Sequence, residues 1–128
     1  MDAPAFVVLR RLLIDSLSVL AADASNQTAW LEEHEVAVDE LALDFDHAFR
    51  MANRLVEHHQ ISENTAAELR EIDVLLAGMS GHEQAGRWTR DALANDTGWN
   101  EARQLARQAL IELTGGWKHP LPDIQAIR

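Results

Sequence analysis

The sequence predicts an all-α protein, a compact bundle of four main helices plus two short ones, folded as a single domain over residues 1–128. Three observations lead there. Apolar residues recur every three or four positions through most of the chain, which is the period of a helix with one buried stripe. Ser, Thr or Asp stands just ahead of several of those stretches, where a side-chain oxygen can cap the first turn, and Gly follows them. No stretch alternates long enough to make a strand, and there is no internal repeat or low-complexity tract.

Asp2 can cap the first helix, with Pro4 in its first turn, and Phe6, Leu9, Leu13, Leu17 and Leu20 form its stripe. The polar run Asp23 to Asn26 ends it. A short helix then carries Gln27 to His34, with Trp30 and Leu31 facing inward. "EVAV" alternates and reads as a loop. Asp39 suits the N-cap of a long helix reaching to about His59, with the stripe Leu41, Phe45, Ala48, Ala52 and Leu55. "QIS" breaks that helix and Ser62 caps the next. Thr65, Leu69, Ile72, Leu76 and Met79 line its inner face, and Gly81 stops it in a left-handed conformation. "GRWTRDALAND" reads as a turn or single helical coil capped by Thr89. Asp96 caps the last long helix, lined by Trp99, Ala102, Ala106, Ala109, Leu110 and Leu113 and closed by Gly115-Gly116. Residues 1–5 and the Pro-bearing tail 117–128 are expected to be extended or frayed; the tail lies across the bundle if Trp117, Leu121 and Ile124 find apolar cover.

The 128 residues suffice to bury a core without a staple. The chain has no cysteine, which removes disulfides, thiolate metal sites and a thiol nucleophile, and fits a cytoplasmic setting. Its first seventeen residues do not read as a signal peptide, because Arg10, Arg11 and Asp15 interrupt the apolar run. A net charge of −10 argues against nucleic acid as a partner, since phosphate binding draws on positive charge. No stretch is long enough for a membrane. The acidity is local. Leu12 to Phe49 holds nine acids and no Lys or Arg, whereas twelve acids face eleven bases elsewhere. Such a patch steers cationic partners, and Arg10 and Arg11 can cover it within one chain or across a dimer.

The centre of that patch is "EEHEVAVDELALDFDH", with seven acids and two histidines in sixteen residues. Three readings compete for it: a metal site, an acid–base or docking site, and a solvated face. Asp44 and His47 share a helix face with Glu40, as in the carboxylate-x-x-His half-motif of di-metal bundles. A matching second pair is missing: "EHH" at residues 57–59 lacks the spacing and Glu68 with Glu71 lacks a histidine. No metal or other cofactor is therefore expected. His34, set among carboxylates, is a candidate general base; its plain alternative is an exposed residue at a helix C-terminus. Trp30 and Trp99 belong to apolar stripes, while Trp88 sits in a loop where it either lines a peptide groove or plugs the bundle end. No nucleophile elbow and no phosphate-binding Gly loop is present.

The stretches "WLEEHEVAVDELALDFDHAF", "LREIDVLLAGMSG" and "RWTRDALANDTGWNEARQLARQAL" resemble a group of small helical actinobacterial proteins, and are similar to the lysinoalanine-forming proteins of cinnamycin- and duramycin-type lantibiotic clusters. The similarity covers about residues 10 to 114 as patterned helices. It implies a peptide-crosslinking enzyme, expected to be a homodimer, that adds a lysine amine of a modified peptide to a dehydroalanine in the same peptide. That reaction needs a base, because an ammonium with a pKa of about 10.4 does not attack. It also needs a cation or N–H donor near the carbonyl oxygen that gathers charge. His34, Glu33 and Asp39 are the candidate bases and Arg11 the candidate oxyanion partner. Arg10, Gln27, Trp30, Asp44, His47 and Trp88 are the candidate substrate-binding residues. The alternative is a non-catalytic, immunity-type acidic protein that docks a basic protein. Both readings expect the acids and imidazoles to converge on one cleft.

Overall fold

The computed structural model describes residues 5–122. Among them there are seven α-helices, one 3-10 helix and no strand. The helices are α1 Ala5–Ala21, α2 Ala24–His34, α3 Asp39–Phe49, α4 Ala52–Glu57, α5 Glu63–Gly78, α6 Arg90–Asn95 and α7 Thr97–Thr114, with the 3-10 helix at His82–Arg87 between α5 and α6. None is long and apolar enough to cross a membrane. The expected caps at Asp2 and the packing of Ile124 lie outside the described residues.

Helix α7 is the element on which the others lean: α1, α5 and α6 all pack against it. Its sequence explains why. Ala102, Ala106 and Ala109 are completely buried, so neighbouring backbones approach closely, while Trp99 and Leu110 fill the space at either end. Leu13, Leu17 and Leu20 of α1 and Leu69 and Ile72 of α5 complete this centre, all with no exposed surface. Burying each such side chain contributes roughly 1.5–3 kcal/mol before conformational entropy is charged against it.

Three predicted caps are made as read. Ser62 Oγ accepts from the Thr65 N–H at 3.0 Å, Thr89 Oγ1 from the Ala92 N–H at 3.1 Å, and Asp96 Oδ1 from the Gly98 N–H at 2.7 Å. Three boundaries differ. Helix α2 starts at Ala24, inside the polar run expected to be a break. Asp39 is the first residue of α3 rather than its cap, and Val38 stands at the cap position. The long helix expected from Asp39 to about His59 is two helices, α3 and α4, joined at Arg50–Met51. The stripe Phe45, Ala48, Ala52 and Leu55 is buried straight through the joint, so its period carries no trace of the break. The joint needs no Gly or Pro because short-range bonds replace the helical ones: Met51 N–H donates to Ala48 O at 3.2 Å and Arg54 N–H to Met51 O at 3.1 Å. Helix α5 ends at Gly78, and Gly81, with φ of 118° and ψ of 160°, starts the 3-10 segment instead of capping the helix in a left-handed conformation.

Candidate functional site

The C-terminal tail builds the site. After Thr114 the chain turns at Gly115, whose φ of 91° favours glycine, and folds back toward α1 and α2. Trp117 lies under the Arg107 guanidinium, 3.8 Å from its ring centre, and Trp30 Nε1 donates to Pro122 O at 2.8 Å. Arg107 in turn donates to Ala21 O at 2.8 Å and pairs with Asp23 at 2.9 Å. Residues 117–122 thus form an extended strap with a hollow on each side, and Leu121 and Pro122 wall both.

The larger hollow, about 740 Å³, lies between α1 and the strap and presents Arg10, Arg11, Asp15 and His119. Arg10 is tied down, donating to Leu113 O at 2.7 Å and to Gln60 O at 3.4 Å. Arg11 is mostly in solvent: its side chain is 79% exposed, and it pairs with Asp15 at 3.8 Å between Nε and Oδ1. Burial raises the Asp15 pKa, while the charges of Arg11 and His119 work against that rise. His119 Nε2 lies 2.8 Å from Gly116 O, which only accepts, so Nε2 carries the proton. In the neutral ring the lone pair is then on Nδ1. The smaller hollow, about 320 Å³, holds Trp30, Glu33 and His34, and the His34 ring meets Trp30 edge-on at 4.8 Å.

The remaining candidates go elsewhere. Asp39 and Trp88 share a third hollow of about 640 Å³ with Leu43 and His82. Trp88 turns its N–H inward to Met79 O at 2.8 Å and its ring onto Trp99, so it closes the end of the helices as well as lining that hollow. Asp44 is buried, which pushes its pKa up to about 6, whereas His47 is exposed. Among the described residues no three His, Asp or Glu side chains gather as a metal site. Gln27 offers nothing to a substrate. It is fully buried, its Nε2 donates to Val19 O and Leu20 O at 3.0 Å each, and its Oε1 accepts from Arg103 at 2.8 Å. The acidic stretch therefore does not converge on one cleft. Glu32 pairs with Arg90 at 3.2 Å and Asp46 with Arg50 at 2.9 Å, Glu33 and Asp39 line different hollows, and Asp44 is buried.

Sequence reasoning missed Asp15 and His119. Asp15 is one acid on a leucine-rich helix. His119 was legible only as part of "KHPLP", where Pro120 and Pro122 force extended chain without saying where it lies. No family model, curated protein or solved structure matches the chain.

Proposed function

We propose that this protein is a cytoplasmic peptide-maturation enzyme, a compact helical bundle that holds a modified peptide beside the strap and adds a lysine amine to dehydroalanine without a cofactor. The observation that carries this reading is the larger hollow, where an exposed guanidinium, a half-buried carboxylate and an imidazole line one space. An extended, proline-bearing segment already lies along that space, which supports an extended peptide as the ligand.

In this scheme Asp15 attracts the lysine ammonium and His119 Nδ1 takes its proton, an imidazole being closer in basicity to an amine than a carboxylate is. The freed nitrogen forms a bond to the dehydroalanine β-carbon. The π electrons move to the carbonyl oxygen, where Arg11 stabilises them, and the proton returns to the α-carbon with no leaving group. Holding both ends of the peptide in one hollow supplies much of the acceleration. Glu33 and His34, across the strap from Arg11, bind the peptide beyond the reacting centre.

The test is incubation with a dehydroalanine-containing lantibiotic precursor. Crosslinking leaves the mass unchanged, so loss of dehydroalanine trapping by thiol and loss of lysine labelling are the readouts. Arg11→Ala and His119→Ala are each expected to slow crosslinking at least ~100-fold while leaving the circular dichroism spectrum intact. Absence of crosslinking by the unmodified protein overturns the reading. The alternative, an immunity-type acidic dock for a basic protein, draws on the third hollow, where Leu43 is 60% exposed beside Asp39. It expects Asp39→Asn and Leu43→Ser to abolish a salt-sensitive complex.

A further inference from the structure

We propose that the smaller hollow is a pocket for a long basic side chain, arginine ahead of lysine, of the peptide that the larger hollow processes. That the side chain belongs to a peptide rests on the function proposed above; the chemistry of the pocket does not. Asn26, Ala29, Trp30, Glu33 and His34 line it from α2, and their spacings of three, four, seven and eight from the first place them on one face of that helix. Leu121 and Pro122 of the strap close the other side. Beside the large indole of Trp30, the methyl of Ala29 leaves room, and the space amounts to about 320 Å³, at the small end of what ligand pockets enclose. Trp30 is buried and commits its N–H to Pro122 O at 2.8 Å, so toward the hollow it is apolar.

Trp30 is buried and Glu33 exposed, so the hollow runs from an apolar floor to an anionic rim. Glu33 is the one carboxylate among the lining residues, no Lys or Arg lines the hollow with it, and it has no ion pair among the described residues. His34, edge-on to Trp30, is the other titratable group there. The two cations on the strap's Trp117 are held away from the hollow: Arg107 by Ala21 O and Asp23, and Lys118 over the Trp117 ring at 5.5 Å. A long basic side chain has the matching order of parts, a hydrocarbon stem that packs on apolar surface and a cation that stays near water. A guanidinium is preferred to an ammonium because it is planar, pairs with a carboxylate through two parallel N–H bonds and lies flat on an aromatic ring. The larger hollow has Arg11 for a developing anion; the smaller has no cation of its own, so it holds the peptide and leaves the reaction to the other side of the strap.

Two probes test it on the full chain: N-acetyl-arginine methylamide and its neutral isostere, N-acetyl-citrulline methylamide. Each is titrated while the Trp30 indole N–H resonance is followed, with Trp30→Phe used only to assign that signal. The arginine probe is expected to shift the resonance saturably and to bind at least ~5-fold more tightly than the citrulline probe, by a margin that shrinks as salt rises. Glu33→Gln is expected to remove the margin. Glu32→Gln, which changes the adjacent acid that faces Arg90, leaves it in place and so separates the pocket from a general acidic field. Both positions are exposed, and unchanged circular dichroism verifies folding. Equal binding of the two probes, no saturable shift with arginine, a margin that survives Glu33→Gln, or one lost equally in Glu32→Gln each overturns the pocket. Absent crosslinking with the arginine preference intact overturns the proposed reaction and not the pocket; crosslinking without that preference does the reverse.

Discussion

Two of the polar arrangements between helices are built on opposite terms. Arg103 on α7 is a buried guanidinium with no ion pair among the described residues. Its Nη1 donates to Gln27 Oε1 at 2.8 Å and its Nη2 to Leu93 O at 2.7 Å, while Gln27 passes two further hydrogen bonds to the end of α1. Burial, and then the charge of Arg107, pull the Arg103 pKa down, and Asp23 opposes them. Between α5 and α7 stands the other arrangement, Glu68 against Glu112. Glu112 accepts from Asn64 at 2.6 Å and from Thr65 at 3.1 Å, but Glu68 Oε2 is enclosed and meets no donor. The Glu68 pKa is pushed up to about 7 by burial, then by its hydrogen bond to Glu112 and the charges of Glu112 and Glu71. A proton on Glu68, donated to Glu112, removes the repulsion between the two carboxylates. The first network is closed by side-chain choice at any pH; the second is closed only by a proton from solvent.

Arg103→Ala is the hardest blow to the first network, leaving Gln27 Oε1 and Leu93 O buried without donors, and is expected to cost about 3 kcal/mol in denaturant unfolding. Gln27→Ala strands the α1 carbonyls and one Arg103 donor, for about 2 kcal/mol. In the double variant the loss should fall short of the sum, because each change removes a group the other had orphaned. Additive losses would show that the two residues act separately. Glu68→Gln works in the other direction. With its folded pKa near 7 and an ordinary value of 4.5, Glu68 keeps its proton in the folded protein at pH values where the unfolded chain has released it. Its contribution to stability is therefore full below about pH 4.5 and declines as pH rises through 7. The glutamine variant should be more stable than the parent above pH 7, by on the order of 1 kcal/mol after allowing for solvent on the open side of the pair, with the gain fading toward pH 4.5. Unchanged pH dependence would remove Glu68 as its source. The smallest expected effect is Trp30→Phe, which keeps the apolar contact but drops the bond to Pro122 O, for about 1 kcal/mol and faster proteolysis of the tail.

The same contrast explains how much the sequence disclosed. Helix stripes and caps were legible because each is decided within a few residues: Ser62, Thr89 and Asp96 act on backbone two or three positions away. What was hidden is decided across long separations. Gln27 looks like an ordinary polar helix residue until Arg103, 76 positions later, is placed over it. Carboxylate clustering suggested a cleft, yet Glu33, Asp39 and Asp44 point to three different surroundings because a helix turns 100° per residue and a loop separates α2 from α3. Gly98 is a further case. A Cβ there would come within 2.5 Å of the Arg87 guanidinium and 2.8 Å of the Met79 sulfur, crowding the Arg87–Asp96 pair that holds the start of α7. Nothing in "DTGWN" announces that.

Ala102, Ala106 and Ala109 carry a last consequence. Where α7 meets its neighbours, the spacing of the helices is set by how little side chain is there. A leucine in a core can shrink in several steps, each leaving a void that a neighbour partly fills; below a methyl there is only glycine, which weakens the helix itself. Apart from glycine, every change at these positions is outward, and every such step must wedge a neighbouring helix away. The middle of α7 is thus where this chain has the narrowest room to vary, though it bears the least conspicuous residues in the sequence.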